Sequence, residues 1–313
     1  MRQAQRRVFG WKPSLQTWFV VLFLLVGTAV IFNTTVSAWF SASSQAAFIS
    51  QYLEEVASPD YDAQKHLATA IARSTAATED VSLAPYVRYP TGSEISGVSE
   101  LTAGPDREET EVLGRLQIQD IELDLPIFEG ADTITLGNGV AHVKNSSLPV
   151  GGETSNTVLT AYRGYPTATM FNRVNELEPG QDILFSSFDN VLTYRVKTVQ
   201  EVAADQRQDL ASHVDNDQLT LVTSSPLVDD SPRIVVIAER QIPTSEEYEA
   251  LARQEPEGPG FPQWALVLAG AYGLILLYLW HAGYTDARQR RIRRAQTKDQ
   301  KRQDRKNTNK NGG

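Results

Sequence analysis

Two apolar runs, one near each end, decide what the rest of this chain can become. Leu15 to Phe32 contains no charged residue. At about 1.5 Å per residue such a run makes a helix of roughly 27 Å, close to the thickness of a hydrocarbon core. Trp264 to Trp280 is a second apolar run, with a Trp at each end where aromatic belts occur. Arg2, Arg6, Arg7 and Lys12 precede the first run, and Arg288, Arg290, Arg291, Arg293 and Arg294 follow the second. Basic flanks mark the cytoplasmic side of a span, so both termini are expected in the cytoplasm, with everything between them outside. A DNA-binding tail is the sharper reading of the C-terminal charges, but positive-inside anchoring explains them without further assumption. A cleaved signal peptide competes for the first run, because Val36-Ser37-Ala38 offers small residues. Its length favours a retained span.

Charge divides the chain the same way. The whole carries 29 Lys and Arg against 38 Asp and Glu, a net of −9. Residues 1–33 hold four of the basic residues, and 286–313 hold eleven against three Asp, which leaves a middle near −21. An acidic body argues against nucleic acid as a partner, since phosphate binding needs a basic face. There is no Cys, so a disulfide framework, a thiol nucleophile and a Cys-based zinc site are all excluded. His66, His142, His213 and His281 show no ligand spacing, and neither metal nor cofactor is expected.

Between the spans the hydrophobic period changes twice. From Ala38 to about Ala77, Phe48, Tyr52, Val56, Leu67 and Ile71 recur at helical spacing, with a break at Ser58-Pro59. This predicts two amphipathic helices, the second capped by Asp60 or Asp62. Residues 78–110 are polar, contain Pro85, Pro90 and Pro105, and read as an irregular connector. From Val112 onward short strands alternate with turns. Strands are expected over 113–118, 121–128, 156–161, 182–188, 191–202, 219–223 and 234–238, with a short helix over 167–175 and a hairpin about Asp189-Asn190. Leu192, Tyr194 and Val196 alternate with Thr193, Arg195 and Lys197, the pattern of a strand with one buried face.

The segment LTLVTSSPLVDDSPRIVVIAER, Leu219 to Arg240, places a Ser-, Pro- and Asp-rich loop between two β-branched runs. It resembles the active-site segment of the sortases, transpeptidases that attach proteins to Gram-positive cell walls or polymerise pilins. In that family a T-L-x-T strand ends in the nucleophilic Cys and an Arg opens the next strand. Here Thr220 to Thr223 fit the strand, Arg233 fits the Arg, and Ser224 stands at the Cys position. The family's general acid is the His of an H-R-G segment, matched here by Tyr162-Arg163-Gly164. Gly114-Arg115-Leu116-Gln117-Ile118 and Leu125-Pro126-Ile127 are similar to the opening of the sortase barrel. Asn138-Gly139-Val140-Ala141-His142 and Ser146-Ser147-Leu148-Pro149-Val150-Gly151-Gly152 resemble segments typical of class C, the pilin-type sortases. Class C members usually carry a lid with an Asp-Pro-aromatic motif, and no such triplet occurs in this chain.

The resemblance implies a mainly β fold, a closed sortase-type barrel with short helices, preceded by a helical segment and flanked by two transmembrane helices. The expected division is a basic cytoplasmic N-terminus (1–14), a transmembrane helix (15–33), a helical segment and connector (34–111), the barrel (112–240), an acidic linker (241–262), a second transmembrane helix (263–282) and a basic cytoplasmic tail (283–313). Ser224, Tyr162 and Arg233 are the candidate catalytic positions, the first two replaced. Arg233, Arg163 and His142 are candidate binding residues.

A thiol attacks readily because its pKa lies near 8.5, whereas a Ser hydroxyl needs a base in contact. Tyr162 and His142 are the available groups for that role, and Arg233 retains its donors whatever the nucleophile is. The expectation is a plasma-membrane protein of Gram-positive cell-surface or pilus assembly without cysteine transpeptidase activity. It would bind an LPxTG-type sorting-signal protein, a pilin, or an active sortase. The alternative is a Ser-based transpeptidase or hydrolase using Ser224 and Arg233.

Overall fold

The structure is a computed structural model. It describes residues 11, 13–66, 68–69, 112–130, 133–143, 146–148, 150–152, 154–164, 168–202, 216–224 and 232–310. The connector expected over 78–110, the second helix beyond residue 69, the loop containing His213, and Asp229 and Asp230 lie outside them. The chain divides into two compact units. One comprises Ser37–Gly260, and the other Met1–Val36 with Phe261–Gly313.

Eight strands close the first unit into a barrel: β1 (Val112–Ile118), β2 (Leu123–Glu129), β3 (Val140–His142), β4 (Asn156–Tyr162), β5 (Asp182–Ser187), β6 (Asn190–Val202), β7 (Gln218–Ser224) and β8 (Arg233–Gln241). Their order around the barrel is β1-β2-β3-β4-β7-β8-β6-β5, and β5 returns to β1. The β2–β3 and β4–β7 pairs are parallel and the rest antiparallel. Because successive side chains take opposite faces, the alternation in the sequence becomes two layers. Leu116, Leu159, Phe185, Tyr194, Leu221 and Val236 belong to the cluster that fills the barrel. Val158, Val222 and Val235, each one position out of step, form a second cluster with Val143 and Val202 on the outer face.

Two motif glycines are required by close approach. A Cβ at Gly114 would run into the carbonyl of Ser186 on β5, and one at Gly139 would meet Pro126 and Phe128 of β2. The β5–β6 hairpin turns on Phe188-Asp189, both with positive φ (46° and 64°), as a two-residue type I′ turn demands. Its centre therefore lies one residue earlier than the Asp-Asn pair suggests.

Four elements differ from the sequence expectation. The first helix, α1 (Leu15–Val56), runs unbroken for 42 residues, because no Pro and no Gly beyond Gly27 interrupts it. It ends before the Ser58-Pro59 break, and Asp62 then accepts a hydrogen bond from the Lys65 amide (3.0 Å) to cap the next turn. A six-residue helix, α2 (Thr133–Asn138), precedes β3 where no helix is expected. Conversely, the helix expected over 167–175 is replaced by turns and a 3-10 turn at Val174–Glu176. Met170 has φ of 33°, which a right-handed helix does not accommodate, although Phe171 and Val174 are buried as the pattern requires.

The stretch read as an acidic linker holds a helix, α3 (Glu246–Ala252), capped by Ser245. Arg115, only 2% exposed, fixes it. Its guanidinium forms two 2.7 Å hydrogen bonds to Asp124 and donates to the carbonyls of Ala252 (3.2 Å) and Gln254 (2.6 Å). Beyond α3 the chain lies along the second half of α1. Ser50 donates to Glu255, and the Trp39 indole to the carbonyl of Gly260. Tyr52 and Ile49 of the same helix are buried, and Phe48 meets Phe128 edge-on at 5.3 Å.

The second unit contains the first part of α1 and a 48-residue helix, α4 (Gln263–Lys310). Both helices are long and apolar enough to cross a membrane, with the apolar part of α4 at Gln263–Asp286.

Candidate functional site

The parallel pairing of β4 with β7 aligns their ends. Asn156 is abreast of Gln218 at one end and Tyr162 of Ser224 at the other. On the far side of β7, the antiparallel register sets Val222 against Val235, and two further steps bring position 224 level with Arg233, the first residue of β8. Three positions separated by 62 and nine residues in sequence thus meet at one rim of the barrel. Alternation puts Tyr162 and Arg233 on the outer face, in step with Val158 and Val235.

Local hydrogen bonds hold this rim. The Thr223 hydroxyl accepts from the Ile234 amide at 2.8 Å, stitching β7 to β8 just inside the rim. After Tyr162 the chain turns back at Gly164, whose φ is 79°. The Asn172 side chain accepts from the Gly164 amide (2.7 Å), and the Phe171 amide donates to the Tyr162 carbonyl (3.0 Å). The Gly of the Tyr-Arg-Gly segment is thereby explained by backbone conformation.

Tyr162 is 3% exposed and packs with Leu136, Ala141, Ala168 and Met170. Gln45 of α1 reaches the Met170 sulfur at 3.8 Å, so this cluster joins α1, α2 and the rim. An apolar enclosure disfavours any charged form of a side chain. Arg233 is half-buried, and its Nε is enclosed without a hydrogen-bond partner among the described residues. A guanidinium with an unused inward donor is suited to a carbonyl or carboxylate acceptor. Arg163 is half-buried beside Tyr162.

His142 is not part of this group. It lies on β3 opposite Leu159, three residues before Tyr162 on β4, and is 4% exposed. Its Nε2 is within 3.0 Å of both the Ser146 hydroxyl and the Ser147 carbonyl. Burial holds its pKa below the ordinary imidazole value, with the Ser147 bond opposing the shift. These bonds pin the 146–148 segment to the barrel: the Ser146 hydroxyl also accepts from the Val158 amide and donates to the Val143 carbonyl.

Sequence reasoning missed Asp217, which organises the opposite rim. Its carboxylate accepts from Ser155 (3.0 Å), from the Tyr194 hydroxyl (3.0 Å) and from the Gly152 amide (3.3 Å), and faces the Arg240 guanidinium at 3.8 Å. Burial, then the Asp217 charge, pushes the Tyr194 phenol well up. No local motif announces such a residue, since its partners lie 23 to 65 positions away. No group of three or more His, Cys, Asp or Glu that could hold a metal occurs among the described residues.

Comparison with known proteins agrees with this architecture. The family model of the sortase domain matches residues 116–241, from β1 to the end of β8. Sortase A of Streptococcus agalactiae is 23% identical over 239 residues, 75% of this chain and 88% of that protein. Two Bacillus sortases are matched over less than two thirds of their own length. The crystal structure of the complex of S. agalactiae sortase C1 and MTSET is 30% identical, with a TM-score of 0.51 over 64% of this chain and 97% of that one. The structure of sortase C1 of GBS pilus island 1 is 28% identical, with a TM-score of 0.52 over 64% and 94%. An eight-stranded closed barrel, a family match spanning seven and a half of those strands and class C neighbours covered almost end to end lead to one assignment: this chain belongs to the sortase family.

Proposed function

We propose that this protein is a two-span membrane sortase homologue whose outward-facing barrel has lost cysteine transpeptidase chemistry and works by binding. The observation that carries the reading is the register of Tyr162 against Ser224, with Arg233 on the adjoining strand, in a chain without any Cys. The positions that resemble the family's Cys and His are held abreast, yet neither a thiol nor an imidazole occupies them. Acyl transfer needs an attacking group activated by a base. Tyr162 is enclosed in an apolar cluster, and the buried imidazole of His142 is engaged by Ser146 and Ser147. Arg233, whose Nε has no hydrogen-bond partner among the described residues, still suits a backbone carbonyl of an extended peptide.

The occupant proposed for the outer face is an LPxTG-type sorting signal, carried by a pilin or another cell-surface protein. An active sortase in the same assembly is the other partner that fits. The described similarity to a sortase C1 of a pilus island supports the first of these. The apolar helices with basic flanks support a plasma-membrane location with both termini inside.

The test is incubation of the detergent-solubilised chain with a sorting-signal peptide and an amine acceptor. The reading expects binding, weakened at least tenfold by Arg233→Ala, and no cleavage or transfer product. Turnover that disappears in Ser224→Ala, or labelling of Ser224 by a fluorophosphonate, overturns it in favour of a Ser-based enzyme.

A further inference from the structure

The second unit contains contacts that a pair of independent membrane anchors does not require. Asp286, at the end of the apolar part of α4, directs its carboxylate to the N-terminus of α1. It accepts from the Ser14 amide at 2.7 Å and from the Thr17 hydroxyl at 2.8 Å. Ser14 caps the same helix, its hydroxyl accepting from the Thr17 amide at 3.2 Å. The first amides of a helix lack intrahelical acceptors and carry the positive end of its dipole, so a carboxylate there is doubly favoured. One turn away, Gly283 faces Trp11, and a Cβ added at Gly283 would run into the indole.

The seam continues along both helices. Thr17 and Val21 are buried and Thr28 half-buried on α1, while Ile275 and Ala282 are buried and Leu279 half-buried on α4. These fall at three-, four- and seven-residue steps, one stripe per helix. The remaining large side chains, such as Phe23 (79% exposed) and Leu274 (69%), point away. Thr17, Thr28, Ala282 and Gly283 are the small members of this seam; small residues and polar contacts are what membrane helices use to associate, because lipid removes the hydrophobic drive between them.

We propose that the two spans form a locked antiparallel hairpin, clasped on its basic side by Asp286 at the head of α1 and by Trp11 against Gly283, and that the first span is therefore retained rather than removed. This rests on the membrane reading above and adds to it a specific partner for each span. The clasp also gives Asp286, an acidic residue at the edge of a strongly basic tail, a defined role: it neutralises a helix end rather than the tail.

The absence of Cys makes the test direct. In the full-length chain in native membranes, two double variants are built, Ser14→Cys with Asp286→Cys and, leaving Asp286 intact, Trp11→Cys with Gly283→Cys. Mild oxidation is followed by mass spectrometry of the linked peptides. Expected are a disulfide within one chain in at least one pair, with near-complete loss of free thiol, and none in a control pair of Phe23→Cys with Leu274→Cys. Thiols that stay free in both pairs, disulfides only between chains, or a mature chain beginning after residue 38 overturns the clasp. Alkaline carbonate extraction separates the two ideas. A chain released by carbonate sinks the membrane reading itself, whereas one retained but never linked sinks only the clasp.

Discussion

His142 is enclosed beneath the 146–148 segment and is held neutral by its surroundings. Because burial lowers its pKa from the ordinary 6.5, the unfolded chain binds that proton more readily than the folded one. Its contribution to stability is therefore complete above about pH 6.5 and is lost as pH falls through the lower folded value. Urea midpoints at pH 7.5 and 5.5 are expected to show a loss on acidification that shrinks in His142→Gln. Asp217 gives a second residue-level prediction. Removing its carboxylate in Asp217→Ala strands the Tyr194 hydroxyl and the Ser155–Gly152 turn, at a cost of about 1–3 kcal/mol, read as a lowered urea midpoint. Neither role was legible in advance, because each depends on partners distant in sequence. What could be read was chemical identity: the candidate positions Ser224, Tyr162 and Arg233 came from motif resemblance, and the strand register supplies their adjacency.

Among elements, the strands were the most legible, since alternation survives folding as the separation of the filled barrel from its outer valine layer. Helices were less so. Thr133–Asn138 is rich in β-branched residues and is helical only in its tertiary setting, and the turn at Met170 gave no warning in sequence. The Ser245 cap followed by Glu246, Glu247 and Glu249 was a readable start signal for α3 that the acidic composition masked. Arg115 is what fastens that helix to the barrel. Arg115→Met is expected to destabilise the chain by about 3 kcal/mol, moderated by the partial exposure of Asp124. Hydrogen exchange would locate the effect: amides of Glu246–Ala252 lose protection first, while those of β4 and β7 keep theirs.

For the whole molecule, the charge map is the property that composition predicts best. Basic ends and an acidic middle match apolar helices at the two ends and a barrel between them. The topology is testable with single cysteines introduced into the Cys-free chain. In intact cells a membrane-impermeant maleimide is expected to label Glu257→Cys and to miss Lys301→Cys until the cells are lysed. Labelling of both without lysis would place the C-terminus outside.

Closure of the barrel carries a further consequence for recognition. Every strand already has a neighbour on each side, and among the described residues only the stretches of β2 and β4 beyond the short β3 offer main chain that a visiting peptide could extend. In the proposed binding role selectivity then rests mainly on side chains projecting from the outer wall, and a positional scan of a bound peptide should show sharp preferences at alternate residues. The same scarcity of free edges protects an acidic body from stacking edge to edge with its own copies at high concentration.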